Sequence, residues 1–124
     1  MNTPDVYSQL TDYGFQRVTH WAPHKDRIKP QSLAWNDCAG WIYAFVAQNR
    51  VRYVGITTMV LRSRLDGYSH QMADRVGASI RTCLDGGYVV EIFGTKRPKV
   101  SKADLESEES KLIKAFNTDW NVRE

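Results

Sequence analysis

The chain has 124 residues, 42% of them hydrophobic and 25% charged, enough for one core and too few for two ordinary domains. Aromatics at 11% exclude a disordered chain, and the longest apolar run, Trp41 to Ala47, is far too short to span a membrane. The formal net charge of +3 does not by itself announce a nucleic-acid partner. No basic-then-apolar leader pattern opens the sequence, so a cytosolic location is expected. Cys38 and Cys83 suggest neither a disulfide framework nor a metal pair, so reduced thiols are expected.

Thr3-Pro4-Asp5 supplies an N-cap, a proline at the first helical position and an early acid, which predicts a short helix to about Thr11. Residues 16–39 lack a clear period, and Trp21, Pro23, Pro30 and Trp35 suggest a loop or arm packed on the core. His20 and His24 have the i, i+4 spacing of zinc ligands and Cys38 could join them, but Pro23 interrupts any helix there and no fourth ligand is evident. Trp41 to Ala47 is rich in aromatic and β-branched residues. The polar loop Gln48-Asn49-Arg50 follows, and then Val51 to Gly55, so the segment reads as a β-hairpin. Pairing Ala47 with Val51 sets Phe45 opposite Tyr53 and Tyr43 opposite Gly55, with the two tyrosines diagonal on one face.

Thr57 or Thr58 is placed to cap a helix in which Leu61, Leu65, Tyr68, Met72 and Val76 recur at helical spacing, with Asp66-Gly67 as a point where it breaks. A further helical stretch is expected to end at Asp85-Gly86-Gly87. Tyr88 to Phe93 reads as a third strand. Ser101 to Asp104 resembles a capping box that opens a last helix running to about Asn117. The expected fold is α+β: a small three-stranded, mainly antiparallel sheet (the hairpin plus a third strand) flanked by helices. Residues 1–39 are expected to form an N-terminal extension packed on a domain spanning 40–124.

Charge is unevenly spread. Residues 1–49 balance, 50–100 carry net +5 with seven of nine cations as Arg, and 101–124 carry net −2. An arginine-rich middle suits bidentate phosphate recognition, although a solvated surface has the same composition. In the last helix, at about 100° per residue, Glu109 falls inside the stripe made by Leu105, Leu112, Ile113, Phe116 and Trp120. An acid there is costly unless it is paired, protonated or bound to a metal.

Together these residues resemble the GIY-YIG nuclease superfamily. Trp41-Ile42-Tyr43 matches the first motif, with Trp in place of Gly and Gly40 just before it, and Tyr53-Val54-Gly55 matches the second, ten residues after Tyr43. Arg64-Leu65-Asp66-Gly67-Tyr68 matches the family's first helix. Its spacing from Tyr53 is one residue longer than is common, which leaves Arg62 as a rival position until the Tyr68 register selects Arg64. Glu109, the apolar pair Leu112-Ile113 and the ending Trp120-Asn121-Val122-Arg123 match the last helix.

The resemblance covers about residues 40–123 and implies a metal-dependent endonuclease hydrolysing DNA phosphodiester bonds. It implies that Glu109 holds one Mg²⁺ or Mn²⁺ per active site and that Arg64 clamps the scissile phosphate. Tyr43 would serve as the base toward water with help from Tyr53. Tyr68 would orient water or phosphate, and Asn121 would fix the site's geometry. Arg50, Arg52, Arg62, Arg75 and Arg81 are candidates to contact the DNA backbone, as is His70 beside Tyr68. No membrane partner is expected. Cutting both strands with one site per chain would take a homodimer or two successive nicks. The alternatives are a non-catalytic nucleic-acid-binding or regulatory module on the same fold, and a ribonuclease.

Overall fold

The computed structural model describes residues 5–25, 27–31, 38–70 and 75–121, without the side chains of Arg27, Ser69 and His70. In chain order these residues form helix α1 (Val6–Asp12), strands β1 (Gln16–His24), β2 (Arg27–Pro30), β3 (Ala39–Ala47) and β4 (Arg50–Val60), helices α2 (Leu61–His70) and α3 (Arg75–Asp85), strand β5 (Val90–Lys96) and helix α4 (Lys102–Phe116). The strands make one sheet in the order β2-β1-β5-β3-β4, and every neighbouring pair is antiparallel. The fold is therefore α+β with flanking helices as expected, but the sheet has five strands rather than three.

The two additional strands come from the segment that looked irregular. Its prolines masked the pattern: Pro30 lies opposite Trp21 and Pro23 opposite Ile28, in a hairpin whose second strand is the sheet's outer edge, where a missing N–H costs no ladder bond. Only Thr19 and Trp21 of β1 are buried, so alternation is visible over a mere three residues. Extended backbone also separates His20 from His24 by about 13 Å at roughly 3.3 Å per residue. Among the described residues no three His, Cys, Asp or Glu side chains gather as metal ligands, which removes the His20/His24/Cys38 zinc site. Trp35 and Thr3 lie outside the described residues. The observed N-cap of α1 is Asp5, whose carboxylate accepts from the Tyr7 N–H.

β3 is the most thoroughly buried strand, with every residue from Gly40 to Ala47 inside. Each fully buried large apolar side chain contributes roughly 1.5–3 kcal/mol, so this run organises both faces of the sheet. Its hairpin with β4 turns on two residues rather than three. Gln48 and Asn49 both have positive φ, 55° and 60°, the requirement of a type I′ turn whose twist suits the strands. Phe45 pairs with Tyr53 and Tyr43 with Gly55 as the spacing predicts, but Val46 pairs with Val51 and Ala47 with Arg50. The one-residue difference is a β-bulge that leaves Arg52 as the extra residue on β4, and bulges re-aim side chains next to functional sites.

Neither threonine caps α2. β4 continues to Val60, and the Thr57 hydroxyl instead accepts from the Met59 N–H at 3.0 Å. Asp66-Gly67 lies within the continuous helix α2. β5 begins two residues later than the Tyr88 expected from sequence. α3 and α4 end and begin as predicted, with Gly87 at φ 85° beyond α3, Ser101 accepting from the Asp104 N–H, and Asn117 left-handed at the C-cap of α4.

The alternation of β3 sorts the core into two layers. Trp41, Tyr43, Phe45 and Ala47 face α2 and α3, with Trp21, Leu61, Leu65, Tyr68, Ile80 and Ile92. Ile42, Ala44 and Val46 face α1 and α4, with Leu10, Phe15, Val54, Leu105 and Leu112. After α4 the chain crosses the outer edge of β4, so that Trp120 joins the layer opposite the one α4 packs in.

Candidate active site

The tyrosine face of the sheet builds a buried polar cluster. Tyr43 projects from β3 across Gly55 of β4, and a Cβ at Gly55 would lie 2.5 Å from the Tyr43 hydroxyl oxygen. The glycine of the second motif thus makes room for the tyrosine of the first. The Tyr43 and Tyr68 hydroxyls are 2.7 Å apart, and Tyr68 donates to the Tyr53 hydroxyl at 3.2 Å. The three phenols form a hydrogen-bonded chain drawn from two strands and a helix. Tyr43 is 0% exposed and Tyr68 1%, whereas Tyr53 is partly exposed. Only Tyr53 gives the chain a solvent-facing end.

Arg64 completes this group. Its guanidinium carbon lies 4.4 Å from the centre of the Tyr68 ring, a cation–π distance, and the side chain runs along α2 past Gly67. Burial pushes the Tyr43 phenol well above its ordinary pKa, with Tyr53 adding to the rise while Arg64 and the bond to Tyr68 partly oppose it. Burial does the same to Tyr68, reinforced by Tyr43 and Tyr53. Both hydroxyls are therefore neutral donors near neutral pH. Behind Tyr68 stands Trp21 of β1, edge-on to Phe45 and Tyr68 at 5.6 and 6.2 Å. Its indole N–H is buried without a hydrogen-bond partner among the described residues.

The other two motif residues stand on other elements. Glu109 is partly buried on α4, one turn from Leu105 and Leu112, and its helix packs against β4 on the face away from the tyrosines. A carboxylate there can share a site with the phenols only around the edge of β4. Asn121 lies on that edge, where its amide accepts from the Val54 N–H at 3.0 Å and donates to the Val54 carbonyl at 2.9 Å. It therefore clamps the residue between Tyr53 and Gly55, and its hydrogen bonds among the described residues go to Val54 and Thr118 rather than to a phenol. Glu109 fits a divalent cation of the Mg²⁺ type, since such ions bind through one or two carboxylates and keep several waters.

The candidate DNA-contacting cations divide sharply. Arg52 is committed to the protein: its guanidinium donates to the Ala47 carbonyl, to Gln48 and, at 2.7 Å, to Asp119, and it stands 6.0 Å from the Trp120 ring. Arg50 donates to the Asn117 carbonyl, Arg75 to the Trp120 carbonyl, and Arg81 to the Lys25 carbonyl while also pairing with Asp85 at 3.1 Å. Arg62 is exposed and has no hydrogen-bond or ion-pair partner among the described residues. The side chain of His70 lies outside the described residues. Sequence reading places Trp21 against the core, as the structure does. It places Trp120 on the stripe of the last helix, whereas Trp120 lies beyond the end of α4 and in the opposite layer. It missed the role of Asp119. It also missed Lys96, whose ammonium lies 5.8 Å from the Trp41 ring centre. Nothing in the local pattern marks these residues, because their partners lie on distant elements.

The fold, five antiparallel strands with flanking helices, is not peculiar to this chain. Two solved structures share it. The structure of bacteriophage T4 EndoII, determined as a Glu-to-Ala mutant, matches with a TM-score of 0.75 and 24% identity over 96% of this chain and 100% of that one. The restriction endonuclease HPY188I, in complex with product DNA, matches with a TM-score of 0.56 and 13% identity over 90% of this chain and 80% of that one. No family model matches the sequence, and no curated protein does.

Proposed function

We propose that this protein is a metal-dependent endonuclease that hydrolyses DNA phosphodiester bonds. The observation that carries the reading is the chain of three phenols with Arg64 on its flank, assembled from four positions spread over β3, β4 and α2. A purely structural core has little use for three buried or half-buried hydroxyls and a cation, since burying polar groups is costly unless they are fully paired. The fold shared with a restriction endonuclease bound to product DNA supports the same substrate class.

In the proposed mechanism Arg64 binds a non-bridging oxygen of the scissile phosphate and offsets the charge that develops on it. Glu109 holds one Mg²⁺ or Mn²⁺, which when bound polarises the phosphate and stabilises the leaving oxygen. Before attack, one phenolic proton of the cluster passes to solvent. Tyr53 is the member that meets water and also receives the Tyr68 hydrogen bond, so the phenolate is best accommodated there. It accepts a proton as the water oxygen bonds to phosphorus and the bond to the leaving oxygen breaks. Tyr43, hidden behind Tyr68, supports this charge through the hydroxyl chain rather than meeting water directly. Asn121 holds β4 in register beneath the phenols. Cutting both strands takes a second copy of the chain or two successive nicks.

The test is to incubate the purified chain with supercoiled plasmid, single-stranded DNA and RNA, each with Mg²⁺, with Mn²⁺ and with EDTA. DNA cleavage that needs the metal and vanishes in Glu109→Ala supports the proposal. Salt-sensitive binding without cutting in every condition makes the chain a nucleic-acid-binding module instead, and cleavage confined to RNA makes it a ribonuclease.

A further inference from the structure

We infer that Arg52, paired with Asp119, is a positioning residue that holds the Glu109 helix in alignment with the tyrosine chain. The inference rests on the nuclease reading above. The two halves of the proposed site lie in different layers, with Glu109 on α4 at one face of the sheet and the phenols at the other. The segment 117–121 connects them by crossing the edge of β4. Arg50 on the Asn117 carbonyl, Arg75 on the Trp120 carbonyl and Asn121 on Val54 each hold that segment, and Arg52 fastens it through both its backbone and its side chain. The bulge places Arg52 out of the strand ladder, and its backbone carbonyl accepts the Trp120 N–H at 2.9 Å.

Its side chain then ties the same segment to the hairpin turn. Nη1 donates to the Asp119 carboxylate, Nη2 to Gln48 and Nε to the Ala47 carbonyl, with the guanidinium beside Trp120. A planar five-donor fork is the one side chain that reaches all of these partners at once. Tyr53 is the next residue along β4, and Val54, clamped by Asn121, is the one after it. Slack in the segment therefore moves Glu109 relative to the phenols, and a displacement of about 1 Å in such a site costs on the order of 100-fold in rate.

The test compares Arg52→Ala, Arg52→Lys and Asp119→Asn with the unaltered chain, using plasmid cleavage and amide hydrogen exchange at Val54. The expected result for Arg52→Ala is a kcat lower by about 10- to 100-fold, with KM for DNA and its salt dependence unchanged and Val54 exchanging faster. Arg52→Lys, which keeps the charge but loses the fork, should recover part of kcat. Should Arg52→Ala not fold, Asp119→Asn decides, because it takes the charge from one exposed partner and leaves Arg52 its other bonds; it should show a smaller loss of the same kind. A raised KM with unchanged kcat and a salt slope reduced by about one would make Arg52 a DNA contact and overturn the inference. Unchanged kcat and unchanged exchange would overturn it as well. An unaltered chain that fails to cut DNA defeats the nuclease reading, and the Val54 exchange then still decides whether Arg52 fastens the segment.

Discussion

Gly55 is the position at which a single methyl group should do the most damage for its size. In Gly55→Ala the new Cβ would sit 2.5 Å from the Tyr43 hydroxyl oxygen and also collide with the ring carbon that bears it. Ordinary contact begins near about 3.5 Å, so the ring must withdraw by about 1 Å. It has nowhere to go, being fully buried with Phe45, Tyr53 and Tyr68 at ring distances of 5.5, 6.2 and 6.4 Å. Overpacking of this kind costs about 1–3 kcal/mol, and loss of the Tyr43–Tyr68 hydrogen bond adds about 0.5–1.5 kcal/mol. A total of about 2–4 kcal/mol should lower Tm by roughly 8–15 °C in a chain of this size, readable by calorimetry, and cleavage should fall on the order of 100-fold. In a Tyr43→Ala background the same substitution meets no ring. There it should be neutral or stabilising by about 0.4–1 kcal/mol, because alanine restricts the unfolded chain more than glycine does. A Gly55→Ala chain that melts and cuts like the unaltered protein would refute the packing of Tyr43 over Gly55, and so would an equal cost in both backgrounds.

Other consequences are open to measurement. The Tyr7 hydroxyl donates to Glu91, and that bond, together with burial and the Glu91 charge, pushes its pKa up to about 12. The folded value lies above the unfolded one near 10, so the stabilisation is complete below pH 10 and is lost as pH rises through 12. Tyr7 is 38% exposed, so screening keeps the contribution under about 1 kcal/mol. The stability difference between the unaltered chain and Tyr7→Phe should shrink over that window, and a constant difference would contradict the assignment. Trp21→Phe loses indole packing but also removes an unpartnered buried donor, a penalty of about 1–3 kcal/mol. Denaturant titration should therefore find it within about 1 kcal/mol of the unaltered protein, and a loss above about 3 kcal/mol would mean that the N–H is satisfied. Arg62→Ala should weaken DNA binding evenly across sequences and reduce the salt slope by about one, with kcat unchanged; an unaltered slope would remove Arg62 from the interface.

The α4 boundaries and the Tyr43–Gly55 pairing were legible in the sequence because local rules govern them. A serine three residues before an acid caps a helix wherever it occurs, and strand period fixes what faces what until something interrupts it. The interruption at Arg52 was not legible. The bulged residue gives its carbonyl to Trp120 and its guanidinium to Asp119, some 67 residues away. The same distance hid the function of Arg52, which by composition alone is one more cation in a basic stretch. β1 and β2 escaped notice because only one face of their hairpin is covered, and because Pro30 falls on the edge strand and Pro23 beyond the part of β1 that pairs with β5. Glu109 stood out on the helical wheel, but a wheel describes one helix and cannot say on which side of the sheet that helix lies.

The central place of β5 also bears on how the chain reaches this fold. Each hairpin, β1–β2 and β3–β4, is local and can close within about 1–10 μs, but the two do not pair with each other. They are joined only through β5, which arrives more than 30 residues after β4 begins and lies between them. A nascent chain that has not yet delivered residue 96 therefore carries two hairpins with open inner edges and no sheet, the state in which strands most readily pair with the wrong neighbour. Substitutions in β5 should therefore slow folding more than equally destabilising ones in either hairpin.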